Sequence, residues 1–115
     1  VATERTRTAL ERLREQSRSE IATLDADLHA LFEASRDDNA DDEHDPEGAT
    51  IAYERAQLTA VLEAARAQLA AVDDALSRLD AGTYGRCDSC GEPIAAERLE
   101  IRPFATRCVA CAGKR

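Results

Sequence analysis

Four cysteines stand in two pairs, Cys87-Asp-Ser-Cys90 and Cys108-Val-Ala-Cys111, with seventeen residues between the pairs. Two residues between thiols let one tight turn aim both sulfurs at a common point, and two such turns supply the four thiolates of a tetrahedral Zn²⁺ site. Cys87, Cys90, Cys108 and Cys111 are therefore the expected ligands of one zinc per chain. The rival readings of the same spacing are a pair of disulfides or a thioredoxin-like redox pair. A closed shell of four sulfurs leaves no position for water or substrate, so the expected zinc is structural. Its binding is felt as folding energy, with apparent values of about 10–16 kcal/mol for sites of this kind. A finger this short has too little apolar surface to hold itself together otherwise.

The rest of the chain has a different material basis. Aromatic residues make up 3% of the 115, with no Trp and no Met, while charged residues make up 33%. The apolar residues are mostly Ala and Leu, and Ala, Leu, Glu and Arg in bulk point to long helices or a coiled coil. No uncharged apolar run approaches the roughly 18–20 residues of a membrane span, and no secretory apolar region stands at the start. The expected compartment is the cytoplasm, where thiols stay reduced and available to metal. The start at Val1 leaves open whether further residues precede it.

The formal net charge of −8 is unevenly placed. Residues 81–115 carry +2, offset by the −2 of Zn²⁺ with four thiolates, while residues 1–80 carry −10. An acidic arm repels phosphate backbones and suits a basic protein surface or a divalent cation.

Within residues 1–80 two helices are expected. Over 4–36, Leu10, Leu13, Ile21, Leu24, Leu28 and Leu31 recur at steps that keep one face of a helix apolar, with Ser17 the polar break. Thr3 or Thr6 is a candidate cap, and at ~1.5 Å per residue the helix would run about 50 Å. Residues 37–48 hold no large apolar side chain, and Pro46 and Gly48 mark a loop that also carries seven carboxylates. Over 49–80, Ile51, Leu58, Leu62, Ala65, Leu69, Val72, Leu76 and Leu79 repeat the stepping, with Arg55 the exception and Thr50 a candidate cap. Gly82 is placed to end this helix. Two helices of matching length with a polar connection bury their stripes most economically as an antiparallel coiled-coil hairpin, a monomer, with a homodimeric coiled coil as the rival. Alanine in the seam permits close approach but buries little area, so the hairpin is expected to be marginal and held at its base by the zinc finger.

Residues 81–115 form the expected C4 zinc-finger domain. Gly91 follows the first pair of thiols, where a positive φ turns backbone N–H groups toward sulfur. Ile94, Leu99, Ile101 and Phe104 are the apolar residues available to cover one side. Pro93 and Pro103 point to turns and short strands, and any helix after Cys111 is stunted. His29 belongs on a wet helix face and His44 sits among carboxylates; neither is expected on zinc.

The run Tyr84-Gly85-x-Cys87-x-x-Cys90-Gly91-x-x-Ile94, then Arg98-Leu99-Glu100-x-Arg102-Pro103-x-Ala105-x-x-Cys108-x-x-Cys111, resembles the zinc finger of the DksA/TraR family. The resemblance is close over residues 79–111, and the hairpin ahead of it matches in order and length. It implies a bacterial transcription factor, not an enzyme, that binds RNA polymerase directly and not DNA. It also implies a coiled coil inserted in the polymerase secondary channel, with its acidic tip near the catalytic centre, often acting with the alarmone ppGpp at the polymerase interface. The family tip reads Asp-x-x-Asp-x-Ala. Here Ala49 stands at the alanine, Glu47 at the second aspartate and His44 at the first, with Asp45 one residue out of register. The tip residues carried forward are Asp45, Glu47 and Ala49, with Asp42 in reserve.

Two other classes compete. The cysteine spacing is also that of GATA-type DNA-binding fingers, but those place a basic helix and tail after the last cysteine, where this chain has only Ala112-Gly113-Lys114-Arg115. Sequence-specific DNA binding is not expected. A Gre-like accessory factor would use tip carboxylates to bring a second Mg²⁺ to the polymerase for transcript cleavage; the finger favours the first family.

Overall fold

The computed structural model describes residues 2–38 and 46–113. Among them four helices are present, α1 (Ala2–Asp38), α2 (Pro46–Ala81), α3 (Ala96–Ile101) and α4 (Val109–Ala112). Helices α1 and α2, 37 and 36 residues long, pack as an antiparallel hairpin. Cross-helix ion pairs record the direction: Arg7 on α1 meets Asp80 at 2.7 Å, and further along α1 Asp25 meets Arg66 at 3.1 Å. Both pairs are partly exposed, and pairs of that kind contribute about 0–1 kcal/mol each. They fix register more than stability.

The helices run further than the apolar steps alone indicate. Helix α2 begins at Pro46, three residues before the position the stripe suggests, because proline's fixed φ and missing N–H suit a first turn. Thr50 therefore lies inside α2, and Thr3 and Thr6 lie inside α1, so none of the three caps a helix start. The C-terminus of α2 does end as its sequence indicates. Gly82 has φ +78°, its N–H bonds to Leu79 O and the Thr83 N–H to Arg78 O, the paired bonds of a Schellman motif.

Two compact units divide the chain, Val1–Gln16 with Leu69–Arg115, and Ser17–Gln68. The first contains the best-formed core. Leu10 and Val72 are fully buried, Ala75 and Leu76 nearly so, and Leu13, Leu79, Tyr84 and Phe104 close around them. Two of those residues, Tyr84 and Phe104, belong to the cysteine-rich segment, so the finger and the helix ends beside it share one core. The Tyr84 hydroxyl donates to Pro103 O at 2.7 Å. Burial pushes the Tyr84 phenol above its ordinary pKa.

The second unit is thinner. Leu62 and Ala65 are buried, as is Ser17, whose small side chain is accepted where the sequence reads a polar break. Ile21, Leu24, Leu28, Leu31, Ile51 and Leu58 are only half-buried. Arg55 interrupts the stripe of α2, and its guanidinium lies 4.9 Å from the centre of the Phe32 ring, a cation–π contact that makes use of the irregular residue. Among the described residues no helix is long and apolar enough to cross a membrane.

Candidate metal centre

The first thiol pair sits on a turn shaped by two glycines. Gly85 has φ +84° and Gly91 +76°, values that L side chains resist. Ile94 N–H bonds to Gly85 O at 2.7 Å and Cys87 N–H to Glu92 O at 2.8 Å, so the chain returns on itself around the sulfurs. An isolated antiparallel bridge joins Arg86 and Pro93; among the described residues no longer strand pairing forms, and the short strands expected around the prolines are absent. Instead residues 96–101 form α3, which the prolines at 93 and 103 flank without interrupting.

The second pair is carried by α4, with Cys108 at its N-cap and Cys111 within it. The two turns are tied by the Asp88 N–H, which bonds to Thr106 O at 2.8 Å. Covering this side are Ile94 and Ala105, both buried, with Leu99 and Phe104 half-buried. Ile101 does not join them: it is 87% exposed. The turn of α3 that brings Leu99 inward carries its neighbour two residues on away from the core.

All four sulfurs converge within 4.8 Å of one another, and Cys90 Sγ lies 3.8 Å from Cys108 Sγ. A regular tetrahedron with Zn–S bonds of about 2.3 Å has S···S edges of ~3.8 Å, so the cluster has the size a four-thiolate zinc site requires. The four are free thiols. Cys87 is buried while Cys90 is exposed.

Their proton affinities diverge for a physical reason. The backbone N–H of Cys108, with those of Cys90 and Ser89, holds the Cys87 thiol down at about 6 against an ordinary value of 9.0. The Glu92 N–H pulls Cys90 down as well, but the Cys87 sulfur and burial outweigh it and Cys90 is raised. Cys111, crowded first by Cys108 and then by Cys87 and Cys90, is pushed up to about 12. Backbone dipoles thus favour one thiolate, and mutual repulsion opposes the rest. A dication at the centre removes that repulsion, which is the chemistry a C4 donor set is built for.

A set of ion pairs surrounds the first turn that spacing arguments alone do not find. Asp88 faces Arg78 of α2 at 3.7 Å and Arg107 at 3.5 Å. Arg98 of α3 donates through Nε to Arg107 O at 2.8 Å.

Asp42, Asp45 and His44 lie outside the described residues; Glu47 is in the first turn of α2 and Ala49, exposed, in the same helix. His29 is exposed on α1.

A helical hairpin joined to a C4 cysteine cluster is the class that fold and site define. Residues 82–115 match the prokaryotic dksA/traR C4-type zinc finger family. Among relatives, the RNA polymerase-binding transcription factor DksA of Caulobacter vibrioides is 48% identical over 44 residues, 38% of this chain and 31% of that protein. The RNA polymerase-binding transcription factor DksA of Haemophilus influenzae is 45% identical over 40 residues, 35% of this chain and 28% of that protein. The chain thus spans about a third of the length of the curated relatives it matches. The likeness in three dimensions reaches further. The structure of transcription factor DksA2 from Pseudomonas aeruginosa superposes with a TM-score of 0.79 at 29% identity, covering 96% of this chain and 79% of that one.

Proposed function

We propose that this chain is a DksA/TraR-type regulator that binds RNA polymerase directly and modulates transcription initiation in the bacterial cytoplasm. The observation that carries the reading is the combination of a DksA/TraR finger over residues 82–115 with a fold similar to DksA2 across nearly the whole chain. Polymerase binding is what the names of the Caulobacter and Haemophilus relatives state of those proteins.

In this reading residues 81–115 are the finger domain, with one structural Zn²⁺ held by Cys87, Cys90, Cys108 and Cys111. Residues 1–80 are the hairpin, acting as a monomer. The segment with Asp42, Asp45, Glu47 and Ala49 enters the secondary channel, where carboxylates face Mg²⁺ and basic walls. The chain has no catalytic residue of its own, and ppGpp acts at the polymerase interface.

The experiment is multi-round transcription with purified polymerase, with and without ppGpp, at one rRNA and one biosynthetic promoter, alongside retention of the protein by core polymerase at low salt. Binding with a promoter-dependent change in output is expected. Asp45→Ala with Glu47→Ala should keep binding and lose the effect. Absence of retention at low salt overturns the proposal, and shortening of RNA in stalled complexes assigns the tip to transcript cleavage instead.

A further inference from the structure

The ion pairs around Asp88 join three parts of the chain at one carboxylate. Its backbone N–H is bonded to Thr106 O, its oxygens face Arg78 at 3.7 Å and Arg107 at 3.5 Å, and it lies between Cys87 and Cys90. Arg78 is also held from its other side by Asp74, at 3.2 Å, one helical turn back along α2. Its side chain is only 23% exposed, less than either carboxylate it bridges. Its carbonyl receives the N–H groups of Thr83 and Tyr84. Arg107, adjacent to Cys108, is fixed by Arg98 through its carbonyl.

We propose that Arg78 is a positioning residue for the metal centre: from the last turn of α2 it holds, through Asp88, the turn that presents Cys87 and Cys90. This rests on the reading of the four cysteines as zinc ligands. Two effects work in the same direction. The first is geometric. With Arg78 and Arg107 on either side, the Asp88 side chain is held between α2 and the second thiol turn, and the Cys87–Cys90 turn is oriented before metal arrives. The second is electrostatic. Loading makes the site more negative: Zn²⁺ with four thiolates carries −2, against −1 when Cys87 is the one ionised thiol of the metal-free site. Guanidinium groups close by favour that change, and the carboxylate between them keeps them there. The consequence is that metal affinity of the finger depends on a residue of the helical hairpin outside the cysteine motif.

The test is zinc affinity of the full chain by competition with a chromophoric chelator, together with Co²⁺ spectra. Arg78→Gln and Asp88→Asn should each loosen zinc about tenfold, the lower end of what outer-sphere partners contribute. The double variant should be no looser than Asp88→Asn alone, because that change already removes the contact with Arg78. Arg78→Lys, which keeps the charge, should recover most of the loss. The Co²⁺ bands of a four-sulfur tetrahedral site should persist in every variant, which separates weaker holding from a lost ligand. If Arg78→Gln does not fold, Arg107→Gln removes the other partner of the same carboxylate and should loosen zinc likewise. Wild-type affinity in whichever of these two variants folds overturns the inference, as does tighter binding by Asp88→Asn, which would mean that bulk charge alone matters. A wild-type protein that takes up no zinc overturns the metal reading itself.

Discussion

Replacing Leu10 by alanine tests whether the helices and the cysteine-rich segment stand or fall together. Leu10 is fully buried and belongs to the cluster with Val72, Ala75 and Leu76 against which Tyr84 and Phe104 pack. The change removes three carbons, about 2.4 kcal/mol at ~0.8 kcal/mol per buried methylene. A residual cavity of about 40–50 Å³ adds roughly 1 kcal/mol more, for a loss of about 3–4 kcal/mol. Urea unfolding of the zinc-loaded protein, followed by ellipticity at 222 nm, should show the midpoint falling by about 2 M for a slope of about 1.5–2 kcal/mol/M. The same titration read by zinc capture in a chromophoric chelator should shift with it, since the residues around Leu10 include two from the finger. Ile101→Ala, at a side chain 87% exposed, is the control and should change stability by less than about 0.5 kcal/mol. A loss below about 1 kcal/mol for Leu10→Ala, or zinc release that ignores the substitution, refutes the shared core.

Tyr84→Phe deletes the 2.7 Å hydrogen bond to Pro103 O and should cost about 1 kcal/mol near neutral pH, measured by urea unfolding. Because burial raises the Tyr84 phenol above 10.0, the folded state favours its neutral form; that stabilisation is complete below 10.0 and lost as pH rises through the raised value, so the gap to the Phe variant should close in strong base. A gap that does not narrow there counts against the assignment. If the reduced, zinc-free finger keeps this geometry, thiolate absorbance near 240 nm should reveal one group titrating near pH 6, Cys87, with Cys111 still protonated at pH 10, whereas four thiols titrating together near 9.0 mark a finger that unfolds without metal. With its folded value below the ordinary 9.0, the Cys87 thiolate stabilises the fold fully above 9.0, and that contribution disappears as pH falls through about 6. A Cys87→Ser variant retaining the pH 6 step would reassign it.

Much of this architecture is written in local chemistry. The leucine steps of α1 and α2, the glycine at 82 and the two pairs of thiols each encode their structure over a few residues, and each is found where its spacing requires. Local rules were less complete at the helix starts. Pro46 and Gly48 signal a break when weighed alone, yet proline is also a good first-turn residue, and α2 begins there. Around the prolines of the finger, α3 formed where strands were expected, and Ile101 turned outward because a six-residue helix covers the core with only one face.

The sequence by itself determined two long amphipathic helices and a four-sulfur cluster, since periodicity and ligand spacing depend only on neighbours along the chain. Tertiary structure alone decided that Tyr84 and Phe104 complete a core begun by Leu10 and Val72, and that Arg78 and Arg107 meet at Asp88. Those partners are separated by many residues, and burial and Coulomb attraction act through space, so no pattern in a short window contains them.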